Sequence, residues 1–307
     1  MRVRAILNPR AGLRARKSLE HLDRGCDSWR WLEVVETRAP GHGSELAAES
    51  AARGDDLCLA AGGDGTVNEV ACGLLGSGTA LAILPVGSGN GLARTLGLDL
   101  NPERTLAQIE KGVRMRMDVG RINGRPFLNV AGTGFDAAVA SAFHHWGRDG
   151  GRRGILPYFW LGVRELFNYR PARRRLTMPG EALDLSVYIA AFANGCQYGG
   201  GAEIAPGARL DDGQLEVVVI DARRRLEIVL GVPRLFLGNI RTFPSHRRWS
   251  VGAAALEGPP IPHHRDGEVE APSGRIEVSV EPRALEVVVP LETARNPQGP
   301  FVAAAGA

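Results

Sequence analysis

Residues 61–70 read Ala-Gly-Gly-Asp-Gly-Thr-Val-Asn-Glu-Val. Gly62, Gly63 and Gly65 bracket one carboxylate, Asp64. The apolar run Leu57–Ala60 leads in, and Val67, Val70, Ala71, Leu74 and Leu75 follow at helical spacing. The pattern predicts strand, glycine loop, helix. Glycines there can take positive φ and let backbone N–H groups approach a phosphate, and the helix start adds its positive dipole end. A carboxylate beside bound anions calls for Mg²⁺. A second loop, Pro85-Val86-Gly87-Ser88-Gly89-Asn90-Gly91, also joins a predicted strand, Ala80–Leu84, to a predicted helix from Leu92. It is not a dinucleotide fingerprint, because Leu92 stands where a glycine is needed, and it has no Walker lysine. Glycine and aspartate also dominate ordinary turns; the second loop, in the same strand-to-helix setting, is what favours phosphate binding.

Other chemistry-bearing groups are scattered. Asp266-Gly267 and Asp212-Gly213 are hairpin-turn dipeptides, and a turn does not prevent an aspartate from acting as a base or a metal ligand. Glu268 lies two residues beyond Asp266, so on a strand the two carboxylates would share a face. Asp136 follows Gly134-Phe135 and either caps a helix from Ala137 or holds a polar head group. His144-His145 and His263-His264 read as surface pairs, since adjacent histidines point apart and no third ligand is spaced to join them.

The elements that carry these groups change character along the chain. Up to about residue 115, strands (Val3–Leu7, Trp31–Glu36, 57–61, Ala80–Leu84) alternate with helices (around Leu19–Leu22, Glu45–Arg53, from Leu92). This predicts a Rossmann-like α/β domain whose ligands sit at the carboxyl ends of parallel strands. Asn8, Thr37, Gly62–Thr66 and Pro85–Asn90 fall at that edge. Beyond it come short strand-like runs between turn signals: Met117–Ile122, Pro126–Val130, Leu183–Ala193, Leu215–Ile220, Trp249–Leu256, Arg275–Val280 and Leu285–Val289. They predict an antiparallel β-sandwich, interrupted by helices near 153–169 and 222–239. The expected division is 1–115 for nucleotide, 116–290 for substrate, and a 291–307 tail packing back on the first domain.

Composition narrows the class. The 307 residues suffice for two domains, and 44% hydrophobic content is ordinary for a globular chain. A net charge of +3 does not suggest a nucleic-acid binder. Cys26, Cys58, Cys72 and Cys196 form no zinc or disulfide spacing. No leader peptide is evident, and the longest apolar run, Ile155–Val163, is far short of the roughly 20 residues that span a bilayer. The expected location is cytoplasmic. Between Trp146 and Arg175 eight arginines face Asp149 and Glu165 around an amphipathic run, a candidate for anionic membrane contact.

Taken together, Asn8-Pro9, Gly62-Gly63-Asp64-Gly65-Thr66-Val67-Asn68-Glu69 and Pro85-x-Gly87-Ser88-x-Asn90 resemble the diacylglycerol kinase catalytic domain family of lipid kinases. Asn129-Val-Ala-Gly-Thr-Gly-Phe-Asp136, Asn194-Gly195-x-x-Tyr198-Gly-Gly-Gly201, Leu210-Asp211-Asp212-Gly213 and Asp266-Gly267-Glu268 extend the resemblance over nearly the whole chain. The resemblance implies transfer of the γ-phosphoryl group of ATP to a lipid hydroxyl, with Mg²⁺. It implies that Asp64 serves the phosphates and Mg²⁺, and that Asn8, Thr37, Gly62, Gly63, Gly65, Thr66, Gly87, Ser88 and Asn90 line the nucleotide. Asp266 would be the catalytic base with Glu268 beside it, Asp212 a ligand of a second, structural Mg²⁺, and Asp136 a substrate contact. Expected partners are a lipid substrate, the inner face of the membrane touched peripherally, and a second copy of the chain. Gly91 departs from the acid many bacterial diacylglycerol kinases carry there, and leans the acceptor toward a sphingoid or other long-chain lipid alcohol. NAD-kinase-like phosphorylation of a soluble hydroxyl, and non-catalytic binding of nucleotide or lipid on the same scaffold, are the competing readings.

Overall fold

A computed structural model describes residues 1–11, 19, 31–148, 162, 164–165, 169–221 and 225–302. The chain divides into two compact units, neither contiguous in sequence. The first is Met1–Val119 with Leu210–Asp212 and the stretch from Pro282; the second is Gly120–Arg209 with Gly213–Glu281.

In the first unit, β1 (Arg2–Leu7), β2 (Trp31–Glu36), β3 (Leu57–Gly62) and β4 (Ala80–Pro85) form a parallel sheet in the order β4-β3-β1-β2. Every residue of β3 and β4 is buried, as expected for parallel strands covered on both faces. The connecting helices are α1 (His42–Ala52), α2 (Asp64–Leu74), α3 (Gly91–Thr95) and α4 (Pro102–Glu110). The sequence reading lacked α4, although its start signal is clear: Asn101 accepts from the Arg104 N–H and Pro102 occupies the first turn. Helix α1 begins at His42, three residues before the expected start.

The next strand, β5 (Val113–Ile122), runs from the first unit into the second. Asn123 and Gly124, both at positive φ, turn it back into β6 (Arg125–Phe127). Then come β7 (Val130–Gly134), α5 (Phe135–Arg148), β8 (Ala172–Met178), β9 (Glu181–Val187), β10 (Ile189–Ala193), β11 (Leu215–Ile220), α6 (Arg225–Phe236), β12 (His246–Val251), β13 (Ala253–Arg265), β14 (Glu268–Val289) and α7 (Leu291–Arg295). The second unit's strands are antiparallel in the order β12-β11-β10-β7-β13-β14, with β8 on β13 and β9 on β8. Strand β11 shows the period of two: Val217 and Val219 enter one apolar cluster with Phe127, Phe192 and Leu256. Val218 and Ile220 enter another with Tyr188, Ile228 and Phe243.

Several expectations change. Leu183–Ala193 is two strands broken at Tyr188, and the Trp249–Leu256 run breaks at Gly252. Conversely, Arg275–Val280 and Leu285–Val289 belong to one 22-residue strand, β14. Asp212-Gly213 is no hairpin: it is a bend leading into β11, with Gly213 at φ 70°. The expected helix near 153–169 lies almost wholly outside the described residues, as do Leu22 and Cys26.

Candidate active site

Strands β3 and β4 deliver the two glycine loops side by side. The Val86 N–H donates to the Gly62 carbonyl at 3.1 Å. A Cβ on Gly87 would lie 2.6 Å from the Gly63 Cα and 2.9 Å from Asn90 Oδ1. Gly62 is closed by the Thr66 side chain, which would stand 2.5 Å from an added Cβ. None of Gly62, Gly63 and Gly65 has positive φ, and Gly63 is extended at φ −91°, ψ −174°. The expectation of left-handed backbone is thus corrected: these loops use glycine, at Gly62 and Gly87 above all, because there is no room for a side chain.

Asp64 is the first residue of α2, yet its carboxylate reaches the other loop. Oδ2 accepts from the Asn90 N–H at 2.9 Å and Oδ1 from the Gly91 N–H at 2.7 Å. Bonds to an ionised acceptor contribute about 1.5–3 kcal/mol each, so Asp64 fastens the second loop to the first. Asn90, at φ 50°, closes that loop on itself through Gly87. The N-terminus of α2 has no side-chain cap, since Gly63 precedes it and Asp64 is turned away. Around it, Asn8 donates to Thr66 Oγ1 at 2.9 Å, the Thr37 N–H meets the Leu7 carbonyl, and Ser88 is exposed. Glu69, matched only as part of the motif, accepts from the Gly41 and Gly43 N–H groups at 2.9 and 3.1 Å. It binds the start of α1 to α2, and its place five residues after Asp64 was the only signal.

This arrangement suits a polyphosphate. An uncapped helix start, with glycine backbone before it, presents N–H groups to an anion. Among the described residues no group of three or more His, Cys, Asp or Glu could hold a metal ion. Mg²⁺ characteristically needs only one or two carboxylates beside phosphate oxygens and water; both oxygens of Asp64, the carboxylate of these loops, accept backbone N–H groups. Asp212 lies in the short 210–212 stretch of the first unit. Its neighbour Asp211 accepts from the Val302 N–H, Leu210 bonds to Pro300, and the Asp118 N–H donates to the Leu210 carbonyl.

The second unit holds the other candidates. Asp266 and Gly267, at φ 47° and 86°, form the turn between β13 and β14. The Asp266 carboxylate accepts from the N–H groups of Leu128, Asn129 and Val130, at 2.8, 2.9 and 3.1 Å. Glu268 is exposed and paired with Arg265 at 3.2 Å. Because Asp266 is in the left-handed turn rather than on a strand, the expected common face with Glu268 does not form.

Asp136, near the start of α5, is buried. Its Oδ1 accepts from the Ala137 N–H, and its Oδ2 accepts from the Tyr198 hydroxyl at 2.9 Å and lies 3.2 Å from His264 Nε2. The helix starts at Phe135 and not at Ala137, so Asp136 lies in its first turn and is not its cap; it centres a buried polar cluster. Gly132 makes room: a Cβ there would stand 3.0 Å from His264 Nε2. His263 and His264 are both buried, which corrects their reading as surface residues; strand β13 packs against β7 on one side and β14 on the other. The His144 and His145 side chains, and most of the Arg148–Arg175 stretch, lie outside the described residues.

Comparison with known proteins agrees with the geometry. Residues 2–122 match the diacylglycerol kinase catalytic domain, and residues 129–289 match the YegS C-terminal NAD kinase beta sandwich-like domain. A diacylglycerol kinase of Mycobacterium tuberculosis is 31% identical over 298 residues, covering 94% of this chain and 95% of its own. The chain belongs to the diacylglycerol kinase and YegS-like lipid kinase family, and it is a kinase. A probable YegS-like lipid kinase of Chromohalobacter salexigens is 37% identical over 196 residues, 62% of this chain and 61% of that protein. For the fold, a putative diacylglycerol kinase of Bacillus anthracis superposes with a TM-score of 0.75 at 22% identity, covering 94% of this chain and 95% of that one.

Proposed function

We propose that this kinase transfers the γ-phosphoryl group of ATP to the hydroxyl of a lipid alcohol, the first domain taking the nucleotide and the second the lipid. The observation that carries the nucleotide half is the pair of glycine loops touching backbone to backbone beside the uncapped start of α2. The lipid half rests on the family and on its relatives' names. Asn8, Thr37, Gly62, Gly63, Gly65, Thr66, Gly87, Ser88 and Asn90 form the nucleotide-lining set. Mg²⁺, when bound, neutralises charge on the phosphates, with Asp64 as its carboxylate; Asp212 is proposed for a second, structural ion. The acceptor oxygen bonds the γ-phosphorus, the bond to the bridging oxygen breaks, and ADP leaves. Asp266 takes the hydroxyl proton, its orientation set by three backbone N–H groups. Glu268 supports it, and Asp136 holds the polar head of the acceptor.

The acceptor is diacylglycerol, a sphingoid base or a similar alcohol. Gly91 leans the choice toward a sphingoid base or another long-chain lipid alcohol. The work is proposed to take place from the cytoplasm at the inner membrane face; no helix among the described residues is long and apolar enough to cross a membrane. The test is incubation with ATP, Mg²⁺ and a total lipid extract, with products read by mass spectrometry. A phosphorylated lipid that disappears in Asp64→Asn supports the reading. Phosphorylation of NAD or another soluble hydroxyl instead, or ATP turnover indifferent to lipid, overturns it.

A further inference from the structure

Eight large apolar side chains stand exposed among the described residues, and three of them gather on or just beyond one helix. Val229 is 47% exposed, Phe236 49% and Leu237 72%. With exposed Pro233 they fall at positions i, i+4, i+7 and i+8, a single stripe of α6 continued one residue past its end. The opposite side of the helix is occupied: Ile228 is buried in the second unit's core, and Leu235 packs against the same cluster. The helix thus has a covered inner face and a bare apolar outer one.

The segment is basic. Residues 222–248 contain seven arginines, at 223, 224, 225, 234, 241, 247 and 248, and a single acid, Glu227; Arg248 is paired with Glu216, and Glu203 stands beside Gly238. The whole chain carries only +3, so this basicity is local. Glu227 accepts from the Ser245 hydroxyl at 3.1 Å. Arg241, four residues beyond Leu237, is exposed, as is Arg247, whose guanidinium lies 5.0 Å over the Trp249 ring.

We propose that α6 docks on the surface of an anionic lipid bilayer. Phe236 and Leu237 enter the boundary between head groups and acyl chains, and the arginines meet lipid phosphates. Two features favour this occupant over a second copy of the chain. A twofold interface would bring together two copies of the exposed Arg241 and Arg247, whereas an anionic surface neutralises them. The leading apolar tips sit at the helix end, where side chains can enter a lipid surface without a shaped partner. The proposal deepens the lipid-kinase reading by naming the element that finds the substrate's phase, and it stands or falls separately, because adsorption needs no ATP.

The test is sedimentation of the full chain, without nucleotide, with phosphatidylcholine vesicles containing or lacking phosphatidylglycerol. Wild type should pellet with anionic vesicles, less so at high salt, and weakly with neutral ones. The double variant Phe236→Ser/Leu237→Ser should lose about tenfold or more of its partitioning, while its melting curve stays unchanged. Hydrogen exchange should slow over residues 229–241 when anionic vesicles are added. Wild-type binding by the double variant, or unaltered exchange over 229–241, overturns the proposal. So does a wild-type dimer that the double variant splits into monomers, because the face would then be an interface between copies. Phosphorylation of detergent-dispersed lipid is read in parallel: vesicle binding without any lipid phosphorylation sinks the lipid-acceptor reading and leaves the docking surface standing.

Discussion

The Asp64 loop and the Asp266 turn solve one problem in opposite ways. Each holds a carboxylate still by giving it backbone N–H donors from a distant segment, residues 90–91 in one case and 128–130 in the other. Around Asp64 the glycines have ordinary backbone angles and no space for a side chain. Around Asp266 the backbone is left-handed and Gly267 faces open space, with nothing within 4 Å of an added Cβ. The same residue type thus serves close approach in one unit and chain reversal in the other. Closeness locks two loops together, and reversal aims a side chain.

The comparison breaks first on function. Asp266→Asn keeps the turn and changes the charge, and it should cost about two to four orders of magnitude in kcat on a lipid acceptor, with ATP affinity little altered. A kcat near wild type would leave Asp266 with the turn alone. The next effect is on packing. Gly87→Ala should push the two loops apart, lowering stability by about 1–3 kcal/mol in a denaturant titration and weakening ATP binding. Gly267→Ala should cost only about 1–2 kcal/mol, the price of left-handed backbone, and leave ATP binding unchanged. Equal losses of nucleotide affinity in both variants would erase the distinction.

A smaller effect sharpens the contrast through pH. Burial above all lowers the pKa values of His246 and His263 from 6.5, and both lie in the second unit. The unfolded chain therefore takes up protons first. The stability these histidines contribute is fully present above 6.5 and is lost as pH falls from there through the lower folded values. Hydrogen exchange along β13 should speed up between about pH 7.5 and about pH 5, and His263→Gln should blunt that response. Smallest of all is a labelling result in the first unit. The Cys58 thiol is buried and pushed up to about 12, chiefly by desolvation. It should stay unmodified by a thiol reagent in the folded protein while half-buried Cys72 reacts.

The first unit was legible because its signals are local. Each strand–loop–helix unit is a short stretch with its own periodicity, so β1 to β4 emerged from the sequence nearly at their observed limits. What stayed hidden was pairing over distance: Asp64 with Asn90 and Gly91, Glu69 with Gly41 and Gly43, Asp136 with Tyr198 and His264. In the second unit even element limits were harder to see. A strand buried on both faces, such as β10, shows a continuous apolar run and not an alternation. Asp-Gly marked a true hairpin at 266–267 and only a bend at 212–213, because the dipeptide reports backbone freedom and not what lies on either side.

The division of the chain has a consequence for its birth on the ribosome. Strand β4 pairs with β14 through Leu81 and Val287, and Asp118 is bonded to Leu210 and to the Arg283 N–H. Leu81 and Asp118 therefore wait for Val287 and Arg283, which are made much later. The glycine loops can be synthesised, and their strands can pair, long before the edge of their sheet is closed. A premature stop anywhere before Val287 would leave that edge bare, a row of unpaired N–H and C=O groups open to another chain. Truncation near the C-terminus should thus yield aggregates and not a working nucleotide-binding fragment, and gene fusion that exchanges one half of the sequence for another should fail in the same manner.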